Sequence, residues 1–226
     1  MANLIAIVGP SGSGKSTSME NLDPKETAII NVANKPLPFK GWMKNYKEGI
    51  SSGGNYAAIS DSKSICAAIK FISESRSEIK NLILDDIGYN MSFQYMDKAS
   101  EKGFDKFSVI AKDMYNILNQ AKNSRNDLNI VCVFHDEVED MGNGKKRKIR
   151  TIGKMLDSTI TIEGLFTIVL FSDVIVSGMN KQPEYKFITQ TDGVTTCKAP
   201  KGMFDSPTIN NDLAVVLKQV NEYYNG

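Results

Sequence analysis

At 226 residues, 41% hydrophobic and 23% charged, the chain has an ordinary globular make-up and enough apolar material for a substantial core. That excludes wholesale disorder, a collagen-like chain and a coiled-coil rod. Lys plus Arg number 27 against 26 Asp plus Glu, so no global basic field draws nucleic acid, and any such contact has to come from a local patch. Cys66, Cys132 and Cys197 lie far apart with no C-x-x-C spacing. They make no disulfide or metal framework and fit a reducing, cytoplasmic setting. No apolar run is long enough for a membrane span, and residues 1–226 read as a single domain.

Asn3–Val8 is an apolar run closed by Gly9 and Pro10. It predicts a buried first strand rather than a signal peptide. Residues 15–22 predict a helix stopped by Asp23 and Pro24, and 27–32 predict a second, β-branched strand. Residues 33–56 hold two prolines, four glycines and the only tryptophan; they read as a long surface loop with one short helix, and long loops are usually functional. Asp61 suits the cap of a helix over 63–77, where Ile65, Ile69 and Ile72 repeat at helical spacing. Residues 81–86 predict a central strand ending in two acids. Residues 89–103 suggest short helical pieces, and 105–123 an amphipathic helix with Phe107, Ile110, Met114 and Ile117 on one face. Strands are expected at 128–134 and 164–176, with one or two more at 184–191 and 195–198, before a closing helix at 211–224. Alternating strands and helices predict a three-layer α/β fold with a largely parallel central sheet, extended by antiparallel strands late in the chain.

Gly9, Pro10, Ser11, Gly12, Ser13, Gly14, Lys15 and Ser16 satisfy G-x-x-x-x-G-K-[ST] at every position, with Thr17 following. The motif sits after an apolar strand and before an expected helix, whose start would add a partial positive charge and unpaired donors, as a phosphate cradle requires. Glycines let backbone N–H groups turn toward a phosphate, Lys15 reaches the β and γ phosphates, and the Ser16 hydroxyl suits Mg²⁺. In Leu82-Ile83-Leu84-Asp85 the apolar residues drive burial and a carboxylate emerges at the strand's C-terminal end, where ligands sit in open α/β sheets. Asp85 is the expected Mg²⁺ partner. Asp86 is either a base that orients water or a turn cap. His135, the only histidine, ends the strand VCVF. It is either a sensor beside the terminal phosphate or a satisfied turn histidine. Without an N-K-x-D signature, ATP is favoured over GTP.

The segments GPSGSGKST, ANKPLPFKGW, LILDD, VFHDEVED, IGKMLDSTITIEGLFTIVLF and TCKAPKGMF together resemble compact RecA-like ATPases encoded by bacteriophages, including those implicated in single-strand-annealing recombination. The resemblance implies a RecA-like core, ATP and Mg²⁺, ATP hydrolysis, assembly into a homo-oligomeric ring or filament, and action on single-stranded DNA alongside replication or recombination proteins. One departure concerns the catalytic glutamate that such enzymes commonly carry after the second strand; here Asn31, Val32, Ala33 and Asn34 offer no acid. The role then falls to Asp86 or Glu137, or turnover is slow. Lys198 and Lys201 resemble lysines that reach a neighbouring subunit's γ-phosphate, with solvated surface lysines as the alternative.

Lys145, Lys146, Arg147, Lys148, Arg150 and Lys154 form a cationic run opened by a Gly142–Gly144 loop tip expected to be mobile. They form either a salt-sensitive, sequence-independent DNA contact or a hairpin neutralised by Asp136, Glu137, Glu139 and Asp140. Phe39, Trp42 and Tyr46, interleaved with Lys40, Lys44 and Lys47, are expected to pack their loop onto the domain or make a subunit contact, with stacking on bases or on adenine as the alternative. The leading expectation is an ATPase acting on single-stranded DNA. The alternatives are a nucleoside or nucleotide kinase and a nucleotide-dependent loader of a replication protein.

Overall fold

The computed structural model describes residues 1–142, 144–176 and 182–225, with the side chains of residues 157, 158 and 225 set aside. Its strands are β1 (Asn3–Val8), β2 (Thr27–Asn31), β3 (Tyr56–Ala57), β4 (Asn81–Asp85), β5 (Asn129–Phe134), β6 (Asp136–Asp140), β7 (Lys145–Ile149), β8 (Ile168–Ile175), β9 (Glu184–Ile188) and β10 (Thr208–Asn210). Its α-helices are α1 (Trp42–Asn45), α2 (Ser62–Ser75), α3 (Tyr89–Asp97), α4 (Asp105–Lys122), α5 (Lys154–Thr159) and α6 (Leu213–Asn225).

Eight strands form one sheet in the order β10-β9-β8-β1-β5-β4-β2-β3. Pairing is parallel from β3 through β8 and antiparallel from β8 to β9 and from β9 to β10. Alternation along the parallel strands supplies two cores. Leu4, Ala6, Val8, Leu82, Leu84, Ile130 and Cys132 face the layer of α2, α3 and α4. Ile5, Ile7, Ile29, Ile83, Val131 and Val133 face α6 and the 37–56 segment. This is the expected α/β architecture, a largely parallel central sheet extended by antiparallel strands late in the chain.

Strand β5 lies between β1 and β4, so the glycine-rich loop and the aspartate pair leave the sheet two strands apart. An asparagine ladder at the opposite edge sets the register. Asn3 Nδ2 donates to Asn129 Oδ1 at 2.9 Å, and Asn129 Nδ2 donates to Asn81 Oδ1 at 3.0 Å and Asn221 Oδ1 at 3.1 Å. Each strand begins on its asparagine, and side-chain amides tie β1, β5, β4 and α6 together at one level.

Four expectations need correction. The helix expected over 15–22 is a single 3₁₀ turn, Thr17–Met19. Ser and Thr are mediocre helix formers that bond locally, and Ser18 Oγ donates to the Lys15 carbonyl at 2.6 Å. The 33–56 loop is more structured than expected, with α1, a 3₁₀ turn and β3, and it buries Phe39 and Tyr46. Residues 89–103 hold one helix, α3, rather than several pieces. Residues 195–198 form only isolated bridges, Thr195 with Arg147 and Lys198 with Val169.

The polar stretch after His135 folds as a two-stranded hairpin, β6 with β7. Glu137 faces Lys148, Glu139 faces Lys146 and Asp140 faces Lys145, opposite charges of the kind that stabilise cross-strand pairs. Residue 143 at the expected loop tip lies outside the described residues.

Candidate functional site

The C-terminal ends of β1, β4 and β5 converge on one cleft of about 620 Å³, lined by the glycine-rich loop, Lys35, Asp86, His135, Tyr185 and Asn211. Close packing shapes the loop. A Cβ on Gly9 would stand 2.6 Å from the Ser172 carbonyl oxygen of β8, so no larger residue fits there. Gly14 adopts φ +91°, where a Cβ would also meet Tyr185 and Asn211. The loop is tied to the sheet as well: Ser172 Oγ donates to the Ser13 carbonyl at 2.5 Å, and Asn211 Nδ2 donates to Ser172 Oγ at 2.8 Å.

Lys15 is buried and donates to the carbonyls of Gly9 at 2.8 Å and Pro10 at 2.7 Å. Burial pulls its ammonium below the ordinary lysine value, opposed by the charges of Asp86 and Asp136. Ser16 Oγ donates to Asp85 Oδ1 at 2.9 Å, which joins the loop's hydroxyl to the end of β4. Burial, reinforced by the neighbouring charge of Asp86, pushes the Asp85 carboxyl up to about 7. Its Oδ2 has no hydrogen-bond partner in the protein. A buried lysine, a hydroxyl and an under-satisfied carboxylate around a close-packed glycine loop suit a phosphate with a divalent cation. Mg²⁺ is typically held by one or two carboxylates together with phosphate oxygens, and among the described residues no cluster of three or more His, Cys, Asp or Glu side chains offers a separate metal site.

Strand β4 stops at Asp85, and Asp86 turns into the left-handed region at φ +55°, a conformation aspartate tolerates. Its buried carboxylate pairs with Lys35 and lies 3.5 Å from His135 Nε2. Burial lowers the His135 value, with the Lys15 charge adding to the shift. Tyr89 meets the imidazole edge-on, with ring centroids 5.6 Å apart. A second cavity of about 450 Å³ adjoins on that side, lined by Pro10, Ser11, Tyr89, His135 and Arg150 among others.

Lys15, Ser16, Asp85, Asp86 and His135 are thus brought together with Gly9 to Thr17. Glu137 is turned onto the hairpin, where its Oε1 lies 3.3 Å from Lys148 Nζ, and it lines neither cavity. Lys198 is exposed on the segment bridging β8 and also lines neither. Among the six cations of the basic run, Arg147 is held by Asp136 at 2.9 Å and Asp173 at 2.8 Å, and Lys148 by Glu137 and Glu139. Lys145, Lys146, Arg150 and Lys154 are exposed.

Sequence reasoning missed Lys35, Ser172 and Asn211. Lys35 lies in the loop singled out by its length, directly after the 31–34 stretch that offers no acid. Ser172 and Asn211 act only through tertiary contact and carry no local signal.

Residues 1–199 match the family model described as AAA domain, and the chain belongs to that family. It is therefore a P-loop NTPase. No curated protein matches it. Among solved structures, a KaiC-like protein from Pyrococcus horikoshii OT3 is similar at 11% identity and a TM-score of 0.47, covering 82% of this chain and 77% of that one. The flagellar accessory protein FlaH from Methanocaldococcus jannaschii is similar at 16% identity and a TM-score of 0.41, covering 82% of this chain and 76% of that one. Among the described residues no helix is long and apolar enough to cross a membrane.

Proposed function

We propose that the chain binds and hydrolyses MgATP and couples this cycle to single-stranded DNA, acting as a homo-oligomer in recombination, repair or replication. The observation that carries the nucleotide half is the link from Ser16 to Asp85 beside buried Lys15. In this reading Lys15 neutralises phosphate oxygens. Ser16 and Asp85 hold the Mg²⁺, which supplies charge neutralisation at the phosphates. Asp86 orients the attacking water in place of the absent glutamate. His135 and Asp136, at the base of the hairpin, pass the state of the site outward.

The DNA half is supported by the exposed cations Lys145, Lys146, Arg150 and Lys154. The adjacent Tyr89 and Phe93 rings support it too, with centroids 5.5 Å apart and both partly exposed, since aromatic faces stack on bases without sequence preference. Phosphate release measured with and without single-stranded DNA, across a salt series, tests both halves. Stimulation by DNA that fades with salt is expected. A robust rate indifferent to DNA removes the DNA half and leaves the ATPase. Lys15→Ala should lower hydrolysis by about a hundred-fold or more, since removal of one transition-state charge contact costs roughly that much.

A further inference from the structure

We propose that Lys35 determines the preference for nucleoside triphosphate over diphosphate: it is the counter-charge for the terminal phosphate, parked on Asp86 in competition with that phosphate. This rests on the nucleotide reading above and adds a residue that the glycine-rich motif does not contain.

Two lysines line the cleft, Lys15 and Lys35, together with the Asp86 carboxylate, while Asp85 lies buried behind Ser16. Lys15 belongs to the loop; Lys35 arrives from the opposite wall, after β2. Its backbone is fixed there. Buried Asn31, the last residue of β2, donates from Nδ2 to the Lys35 carbonyl at 2.6 Å and to the Tyr56 hydroxyl at 3.0 Å. Asn34 turns the chain at φ +50°, and Pro36 and Pro38 follow, with their restricted φ.

The side chain is placed differently. Lys35 is 47% exposed, whereas the Asp86 it pairs with is 1% exposed. When another anion enters the cleft, the lysine is therefore the partner that can swing, on a flexible four-carbon stem. The carboxylate stays where the turn after β4 puts it. Apart from the Lys35 ammonium on Oδ2, the Asp86 carboxylate has no close hydrogen-bond partner in the protein, so that lysine is its nearest compensation. A phosphate with two negative charges competes for that ammonium more strongly than one carboxylate does. Only a nucleotide long enough to reach past Lys15 sets up this competition. Transfer of Lys35 to phosphate also uncovers Asp86 beside His135, where a water-orienting group is needed.

The test is binding of fluorescent ADP and of a non-hydrolysable ATP analogue, with Mg²⁺, to the full chain and to Lys35→Met, Lys35→Arg and Asp86→Asn. The wild type is expected to prefer the triphosphate by about ten-fold, one charge-assisted contact being worth roughly that factor. Lys35→Met should lose the preference by weakening triphosphate binding alone, Lys35→Arg should restore part of it, and Asp86→Asn should tighten triphosphate binding because the competitor has gone. A Lys35→Met protein that keeps the preference overturns the inference. So does one that binds both nucleotides equally more weakly, the mark of a merely structural residue. So does an Asp86→Asn protein with weakened triphosphate binding. A wild type that binds neither nucleotide overturns the nucleotide reading itself.

Discussion

Asp61 opens α2, and its side chain accepts the Ser64 amide at 2.8 Å. That backbone hydrogen bond holds the carboxyl below the ordinary aspartate value. A depressed folded value means the cap's stabilisation is complete above the unfolded carboxyl value and is lost as pH falls through the folded one. Asp61→Ala should therefore cost about 1 kcal/mol at neutral pH, and the gap to wild type should narrow below roughly pH 4. Urea midpoints at two pH values measure this. The cysteines offer a second check at this scale. Burial pushes Cys132 far up and Cys197 up to about 12, while half-buried Cys66 is raised as well, by burial and by Asp113. Alkylation of the folded protein at neutral pH should be slow throughout and reach Cys66 first, with Cys132 protected until unfolding. Mass spectrometry of a time course reads the order.

Among the elements, those that follow from local pattern were readable in advance. Ile65, Ile69 and Ile72 mark α2, Ile110 to Ala121 mark α4, and LILDD marks β4, because periodicity and apolar runs are properties of neighbouring residues. The missing helix after Gly14 was not readable. Its pattern fits a helix, but a Ser-Thr-Ser run with a side chain bonded to the Lys15 carbonyl settles for one 3₁₀ turn. The hairpin was half readable: complementary charge suggested it, but the role of Arg147 depends on contacts across the fold. Arg147 spans Asp136 on β6 and Asp173 on β8, packs over the Phe171 ring at 5.5 Å, and its amide donates to the Val194 carbonyl at 2.7 Å. It is a structural clamp rather than a free cation. Arg147→Met should destabilise the protein by about 1–3 kcal/mol, because two carboxylates lose their partner. Lys146→Ala, at an exposed hairpin position, should change stability by about 0.5 kcal/mol or less. Denaturant titration of the two variants distinguishes a clamp from a decorative charge.

On the scale of the molecule, charge balance limits what the surface can do. With four exposed cations left in the basic run, single-stranded DNA binding should show a slope of log affinity against log salt no steeper than about −3, at roughly 0.7 per phosphate neutralised. A slope much steeper than that would require cations elsewhere on the molecule or from neighbouring copies. Anisotropy titrations at several salt concentrations measure it. The asparagine ladder acts at the same scale. Asn129→Ala strands the amides of Asn3 and Asn81 and should cost about 1–3 kcal/mol, read as a lower thermal midpoint.

The hairpin leaves β5 one residue beyond His135, and its root is closed where the Arg150 amide donates to the His135 carbonyl at 2.9 Å. Arg147 braces the same root against β8. Two tethers, one to the His135 backbone and one across to β8, thus pin the start of the arm beside the residue that faces Asp86.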